Sequence, residues 1–169
     1  MSLDNKRLLD FLGEVDKELK RKIVAVAVGG TAMTLLKVKP STIDVDFTVS
    51  SEYYSEFERA EKIVPHGFTV HLFHDGAVFV NMLPDDYLKR SIQIKTKLKN
   101  IELRALHPVD IVVTKLGRFD ERDEQDIEFC IKKFKLKKNQ IIKRAGQLGY
   151  AANEKVFQIN LQNIVKKFF

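Results

Sequence analysis

Residues 24–49, VAVAVGGTAMTLLKVKPSTIDVDFTV, carry the pattern that organises the rest of the chain. An uninterrupted apolar run predicts a buried strand, and Gly29-Gly30 directly after it predicts a tight turn into a helix. That short helix is predicted to span residues 31–36. Residues 43–49 then have the β-branched and aromatic composition of a second strand. The segment therefore predicts a strand, a turn, a helix and a strand, in that order.

Two carboxylates, Asp44 and Asp46, stand two residues apart on the second predicted strand. Side chains at this spacing point to the same face, so the two are predicted to project together. The neighbours predicted to face a core are Ile43, Val45 and Phe47. Adjacent carboxylates repel each other, and a divalent cation removes that conflict. Because all the ligand atoms are oxygens, Mg²⁺ or Mn²⁺ is the expected ion.

The glycine pair supplies the second part of the candidate site. Backbone N–H groups at the start of a helix attract anions, so Gly29, Gly30 and Thr31 are the expected phosphate-binding residues. A phosphate cradle beside a metal-binding carboxylate pair indicates a nucleoside triphosphate (NTP) as the ligand. Two simpler alternatives are a tight turn that glycine permits and a solvated carboxylate pair.

This arrangement, with Gly29-Gly30 opening a helix and Asp44-Val45-Asp46 on the next strand, resembles the nucleotidyltransferase superfamily. The resemblance implies an α/β (α+β) fold, with a mixed sheet flanked by helices and a helical C-terminal extension. It also implies a metal-dependent reaction in which Asp44 and Asp46 are catalytic and hold the metal. Gly30 stands where the family often has serine, and Thr31 is the candidate to supply the missing hydroxyl.

Residues 107–127, HPVDIVVTKLGRFDERDEQDI, contain a second motif. Its spacing is similar to the K-L-x-R…R-D-x-x-D-I pattern of a nucleotidyltransferase branch that includes the AbiEii-type abortive-infection toxins and the MenT toxins. The resemblance implies that Lys115 contacts the triphosphate and that Asp126, or else Asp123, supports the catalytic site. A structural alternative stays open, in which Lys115 and Asp126 form an ion pair between helices and both aspartates stabilise a helix N-terminus.

The resemblance also implies a third carboxylate on a later strand, close to the Asp-x-Asp pair, since active members of the superfamily usually carry one. The two strands predicted in that region, residues 68–73 and 77–83, contain neither Asp nor Glu. The candidates for the position are His71 and Asn81 as neutral ligands, and Asp85 and Asp86 from the following turn. The departure favours an alternative in which the protein is a catalytically degenerate relative.

Other turn signals predict two hairpins and one change of hydrophobic period. His74-Asp75-Gly76 lies between the apolar runs 68–73 and 77–83, and Lys99-Asn100 lies between residues 91–98 and 101–106. At His107-Pro108 the apolar spacing becomes helical. We therefore predict a sheet domain over residues 1–106 and a helical segment over residues 107–169 that packs on it.

The composition sets broad limits on function. The 169 residues include 29 Lys and Arg against 23 Asp and Glu, a net charge of +6 that mildly favours a polyanionic partner such as tRNA or another RNA. The single cysteine, Cys130, excludes an intrachain disulfide. A charged N-terminal region and the absence of a long apolar run argue against a signal peptide and a membrane span, so a cytoplasmic location is expected.

Together these features predict a nucleotidyltransferase that moves a nucleotidyl group from an NTP to a hydroxyl of a macromolecule, either tRNA or a protein. The toxin branch further suggests one half of a toxin–antitoxin pair, with an antitoxin protein as partner. One alternative is a degenerate relative that binds a nucleotide or a partner protein. Another is a nucleic-acid-binding module that uses the lysine-rich residues 132–138 alone.

Overall fold

The computed structural model describes residues 2–151 and 153–169. Their contacts divide into two compact units. Unit 1 contains the residues up to Asp75 together with Ser91–Leu106, and unit 2 contains Gly76–Arg90 together with His107–Phe169. The fold is mixed α/β, as the sequence predicts.

In chain order, the described residues form these elements: β1 (Leu3–Asp4), α1 (Asn5–Glu18), β2 (Ile23–Ala27), α2 (Gly29–Leu35), β3 (Ser41–Thr42), β4 (Val45–Val49), α3 (Ser51–Ile63), β5 (Val70–His74), β6 (Ala77–Val78), β7 (Asn81–Met82), α4 (Tyr87–Arg90), β8 (Ile92–Gln93), β9 (Ile101–Ala105), α5 (Pro108–Lys115), α6 (Glu121–Phe134), α7 (Lys138–Ala145), β10 (Tyr150–Ala151) and α8 (Glu154–Phe168). None of these helices is long and apolar enough to cross a membrane.

Unit 1 is built on a mixed sheet, which in the described residues has the strand order β5-β4-β2-β9-β8. Strand β2 is antiparallel to β4 and parallel to β9, and β4 is parallel to β5. Two of the three inner strands, β2 and β4, are buried almost throughout, as expected for strands in the interior of a sheet. The strand–turn–helix–strand prediction for residues 24–49 is therefore confirmed.

Helix α1 covers part of unit 1 with an apolar stripe, and Asp16 on the same helix anchors the connection between β8 and β9. The buried Asp16 carboxylate accepts the backbone N–H groups of Lys99, Asn100 and Ile101 at 2.9, 2.7 and 2.7 Å. Burying a carboxylate is costly unless it is fully hydrogen-bonded, and three donors meet that requirement. The turn predicted at Lys99-Asn100 is thus fixed by a side chain that lies far away in sequence.

The first predicted hairpin is wrong. Strand β5 pairs in parallel with β4, whereas β6 pairs with β7 around Phe79-Val80 in a separate sheet that also includes β10. Asp75 does adopt the left-handed backbone expected of an Asp-Gly turn, with φ 47°. However, its carboxylate accepts the Ser51 backbone N–H at 2.9 Å and also the Ser51 hydroxyl, so Asp75 caps the end of β5 against α3.

The second predicted hairpin is confirmed, although its ladder is short. Ile92 lies opposite Ala105 and Gln93 opposite Arg104 in antiparallel pairing. Beyond β8 the chain continues without a regular ladder, and one further bond runs from the Ile94 N–H to the Leu103 carbonyl at 2.9 Å.

Unit 2 contains the predicted change to helical period. Pro108 is the first residue of α5, and the imidazole of His107 caps that helix by accepting the Val109 N–H at 3.2 Å. The apolar faces of the unit 2 helices are buried, and the Cys130 side chain is buried among them. Cys130 is therefore a core residue.

Candidate functional site

The predicted phosphate-binding turn forms the junction between β2 and α2. Gly29 opens the helix with φ 52°, a backbone angle that side chains disfavour. Val28 is the N-cap residue, and no side chain caps the first turn. Gly30 is partly exposed at this point. The first N–H groups of α2 are therefore not occupied by a side-chain cap, which is the condition for binding an anion there.

Thr31 ties this turn to the acidic pair. Its fully buried hydroxyl donates to the Asp44 carbonyl at 3.2 Å and accepts the Asp46 N–H at 2.9 Å. The Val28 N–H also donates to the Asp46 carbonyl, at 3.0 Å. The start of α2 and the Asp44-Val45-Asp46 segment are thereby held together by hydrogen bonds to the backbone.

The Thr31 hydroxyl consequently has a different role from the one suggested by the motif. A hydroxyl has one proton to donate, and here that proton is directed at Asp44. The Thr31 side chain therefore forms hydrogen bonds with the backbone of Asp44 and Asp46. The backbone N–H of Thr31 remains the candidate phosphate ligand.

The position of Thr42 explains why residue 30 is glycine. A Cβ atom at Gly30 would lie 2.8 Å from Oγ1 of Thr42, well inside van der Waals contact. That hydroxyl is itself held in place, since it donates to the Asp44 carbonyl at 2.9 Å. The space that a serine side chain would fill at position 30 is thus taken by Thr42, a residue that the sequence analysis did not identify. A hydroxyl residue just upstream of Asp-x-Asp is the signal that could have found it.

The acidic pair differs from its predicted geometry at one end. Strand β4 begins at Val45, so Asp44 lies in the bend before it, and Ile43 is 57% exposed and does not face the core. The reason is that the Asp44 carbonyl accepts two threonine hydroxyls, which hold the chain out of the ladder. Val45 and Phe47 are fully buried, as predicted.

Asp46 has a histidine beside it. Asp46 on β4 and His71 on β5 are register partners, and Nδ1 of His71 lies 2.8 Å from Oδ1 of Asp46. The side chain of Asp46 is 9% exposed and that of His71 is 47% exposed, so the pair is accessible from the imidazole side. His71, one of the candidates for the position of the third carboxylate, therefore adjoins Asp46.

Two of the other candidates have structural partners in unit 2. The Asn81 side-chain amide donates to the Thr114 carbonyl at 2.9 Å. The Asp86 carboxylate accepts a hydrogen bond from Arg144 at 2.8 Å. Each of these side chains thus forms a hydrogen bond within unit 2.

Within the described residues, no group of three or more His, Cys, Asp or Glu side chains is placed to hold a metal ion. This does not conflict with a magnesium site at Asp44 and Asp46. Mg²⁺ is commonly held by one or two carboxylates, with substrate phosphates and water completing its octahedral shell. The donor set of two carboxylates thus fits Mg²⁺ delivered with a triphosphate.

In unit 2, Lys115 is engaged by both aspartates of the second motif. Its Nζ lies 2.8 Å from Oδ1 of Asp123 and 2.9 Å from Oδ2 of Asp126, and the Lys115 and Asp123 side chains are each only 2% exposed. Arg118 adds a contact to Asp123 at 3.1 Å. The geometry is therefore that of the structural alternative, a buried ion-pair cluster between α5 and α6.

Asp123 has a second structural role as part of a capping box at the start of α6. Its N–H donates to Oδ1 of Asp120 at 2.9 Å, and its carboxylate accepts the Asp120 N–H at 3.4 Å. Burial alone would raise the pKa of Asp123, but the charge of Lys115 and the hydrogen bond from Arg118 hold that pKa below its ordinary value. Asp123 is thus ionised and serves as the centre of the cluster.

A family model described as a nucleotidyltransferase of unknown function (DUF6036) matches residues 6–166. The chain belongs to this nucleotidyltransferase family. The match covers both motifs and agrees with the mixed sheet that carries the Gly-Gly turn and the Asp-x-Asp segment. Comparisons with curated proteins and with solved structures gave no match. The family is therefore established at the level of the nucleotidyltransferases.

Proposed function

We propose that this protein is a metal-dependent nucleotidyltransferase whose site is formed by Gly29, Gly30, Thr31, Asp44 and Asp46. The observation that carries the proposal is the double hydrogen bond of Thr31, which fixes the helix start against the acidic pair. Family membership supplies the reaction class. The reaction is the attack of an acceptor hydroxyl on the α-phosphorus of an NTP, with pyrophosphate as the leaving group.

The chain's own groups act mainly by positioning and charge, as is general for phosphoryl transfer. In the proposal, Asp44 and Asp46 would hold Mg²⁺, and the backbone N–H groups of Gly30 and Thr31 would bind the β- or γ-phosphate. The ion, when bound, neutralises charge that develops on the phosphoryl oxygens. His71 fixes the orientation of the Asp46 carboxylate through the 2.8 Å contact, as outer-shell partners of metal ligands commonly do.

The finer parts of the proposal concern the acceptor. A macromolecular hydroxyl, in tRNA or in a protein, is the expected acceptor, and a toxin role with an antitoxin partner follows from the resemblance of the second motif. Growth arrest on expression of the wild type, relieved in Asp46→Asn, would support the toxin role. Equal growth of cells expressing either protein would contradict it.

A catalytically degenerate nucleotide-binding protein is the second candidate. The observation that favours it is the histidine on β5 at the register position next to Asp46, because the superfamily resemblance implies a carboxylate close to the acidic pair. This candidate shares the nucleotide site with the first and differs only in the absence of transfer.

Thermal stabilisation tests the nucleotide site that both candidates share. Each of the four NTPs is added with Mg²⁺, and ligand at about 100 times its Kd would stabilise the folded state by about 2.7 kcal/mol. The shift in Tm should require Mg²⁺ and be lost in Asp46→Asn. It should persist in Asp10→Asn, which removes an exposed carboxylate from α1 as a matched control. No shift with any NTP would contradict both candidates.

A further inference from the structure

Unit 2 contains a polar cavity that has no part in the proposed reaction. It has a volume of about 340 Å³, close to the lower limit for small-molecule sites. Its lining includes three cationic side chains, those of Arg90, Lys143 and Arg144, together with Asp86 and Gln147. The volume and the lining suit a small, charged ligand.

Arg144 forms a fixed wall of the cavity. The residue is 3% exposed, and its Nη2 donates to the fully buried Asp110 at 3.2 Å. Its Nε donates to the other oxygen of the same carboxylate, and Nη1 donates to Asp86 at 2.8 Å and to Gln147 at 3.3 Å. A guanidinium held by a bidentate carboxylate is rigid, so the cavity does not have to order this side chain on binding.

Arg90 has longer contacts than Arg144. Its Nε is buried without a hydrogen-bond acceptor and lies 3.6 Å from Oδ2 of Asp110, beyond hydrogen-bond range. Its Nη2 is 3.5 Å from Nδ1 of His107, a nitrogen that already accepts the Val109 N–H. The Nε and Nη2 groups of Arg90 thus have protein acceptors only at 3.5 Å or more. An anion in the cavity would supply the acceptors that the fold does not.

The local charge also favours an anion. Arg90, Lys143 and Arg144 outweigh the carboxylates of Asp86 and the buried Asp110, which leaves a net positive site. Burial lowers the pKa of His107 on the same network, and the charges of Arg90 and Arg144 lower it further against the opposing effect of Asp110.

We infer that this cavity binds a phosphate group, either free phosphate or the terminal phosphate of a mononucleotide, between Arg90, Lys143 and the rigid Arg144. Guanidinium and ammonium donors around a small polar cavity suit a compact phosphate. A polynucleotide backbone, in contrast, is generally followed along an extended positive groove. All the residues that line this cavity belong to unit 2, and phosphate binding here does not depend on nucleotidyl transfer.

The test is an NMR titration of the full-length protein with sodium phosphate, with sodium chloride at equal ionic strength as reference. Phosphate should shift the amide signals of Lys143, Arg144 and Gln147 in a saturable manner. Lys143→Gln should weaken binding by about tenfold, the effect of losing one charge-assisted hydrogen bond. Lys138→Gln, which removes another exposed lysine from the same helix, should leave the affinity within about twofold.

A parallel titration with adenosine monophosphate distinguishes the two sources, because tighter binding than phosphate identifies a nucleotide as the ligand. Unchanged Tm in both variants confirms that they are folded. Absence of saturable shifts with phosphate would overturn the inference. Equal loss of phosphate affinity in Lys143→Gln and Lys138→Gln would also overturn it. So would a site that binds an RNA oligonucleotide without terminal phosphates but does not bind phosphate.

Discussion

Nδ1 of His71 lies 2.8 Å from Oδ1 of Asp46, its register partner on the neighbouring parallel strand. Because side chains of register partners share a face of the sheet, the side chain at position 71 lies close to that of Asp46, the second aspartate of Asp-x-Asp. The chain thus places an imidazole where the superfamily resemblance leads one to expect a carboxylate. The proposed role of His71 is to orient Asp46 for metal binding.

The first prediction concerns that role. His71→Ala should lower the transfer rate by about 10- to 100-fold and raise the Mg²⁺ concentration needed for half-maximal activity, as losses of outer-shell partners generally do. The measurement is the rate of nucleotidyl transfer as a function of Mg²⁺. A purely structural role for His71 would not change the Mg²⁺ dependence.

His74→Ala is the matched control, since it removes a second exposed histidine from the same strand, opposite Val49 and away from Asp46. Its Mg²⁺ dependence should equal that of the wild type. Identical Mg²⁺ curves for His71→Ala and the wild type would show that the imidazole does not act on the metal site.

The second prediction follows from the close approach of Thr42 to Gly30. In Gly30→Ser the new Cβ would lie 2.8 Å from the Thr42 hydroxyl, so the variant should lose about 1–3 kcal/mol in the free energy of unfolding. Adding Thr42→Ala removes the colliding oxygen and should restore part of that loss. Chemical denaturation of the single and double variants gives the coupling energy between the two positions.

Thr42→Ser provides the control for this cycle because it keeps the oxygen and therefore keeps the collision. Rescue of Gly30→Ser by Thr42→Ser to the same extent as by Thr42→Ala would refute the steric explanation. Additive effects of all the substitutions would do so as well.

The third prediction distinguishes the two roles considered for Lys115. Replacing it by methionine removes the cation that two buried carboxylates share, so Lys115→Met should lower the free energy of unfolding by about 3–5 kcal/mol. Arg118→Met removes a side chain that is 45% exposed and should cost about 0–1 kcal/mol. Urea denaturation measures both. Unchanged stability of Lys115→Met, with loss of transfer alone, would instead indicate a direct role at the triphosphate.

The fourth prediction concerns pH. Burial and the neighbouring arginines lower the pKa of His107 below its ordinary value of 6.5, so the unfolded chain takes up a proton before the folded protein does. This contribution to stability is complete above about pH 6.5 and declines as the pH falls below it. His107→Asn keeps a capping acceptor for α5 and should reduce the decline between about pH 7 and pH 5.5. Equal declines in the variant and the wild type would contradict the assignment.

Local patterns predicted much of the fold, since they depend on hydrophobic period, on capping residues and on the glycine pair. The helix starting at Pro108 and the buried strand over residues 23–27 are cases in which the local signal and the tertiary environment agree. The failed hairpin shows the limit of such patterns. Asp75 has the backbone conformation of a hairpin turn. However, its carboxylate accepts a hydrogen bond from Ser51, which is distant in sequence, and the strand before it pairs with β4.

The candidate site was predictable in its residue types and not in its hydrogen bonds. Spacing alone indicated Asp44, Asp46 and the glycine pair, because a motif specifies which chemistry comes close together in sequence. The roles of Thr31, Thr42 and His71 depend on atoms brought together from separate elements. Likewise, the burial of Lys115 between two aspartates follows from helix packing and is not encoded in the motif spacing.

The most direct test of the proposed activity is incubation of the protein with Mg²⁺, α-phosphate-labelled NTPs and a cell extract that supplies both RNA and protein acceptors. The wild type and Asp10→Asn should transfer label to RNA or to a protein and release pyrophosphate. Asp46→Asn should reduce the transfer by at least about 100-fold, as expected when a ligand of the reacting metal is lost. Transfer by Asp46→Asn at the wild-type rate would contradict the assignment of the site, and no transfer by the wild type with any of the four NTPs would contradict the enzymatic proposal.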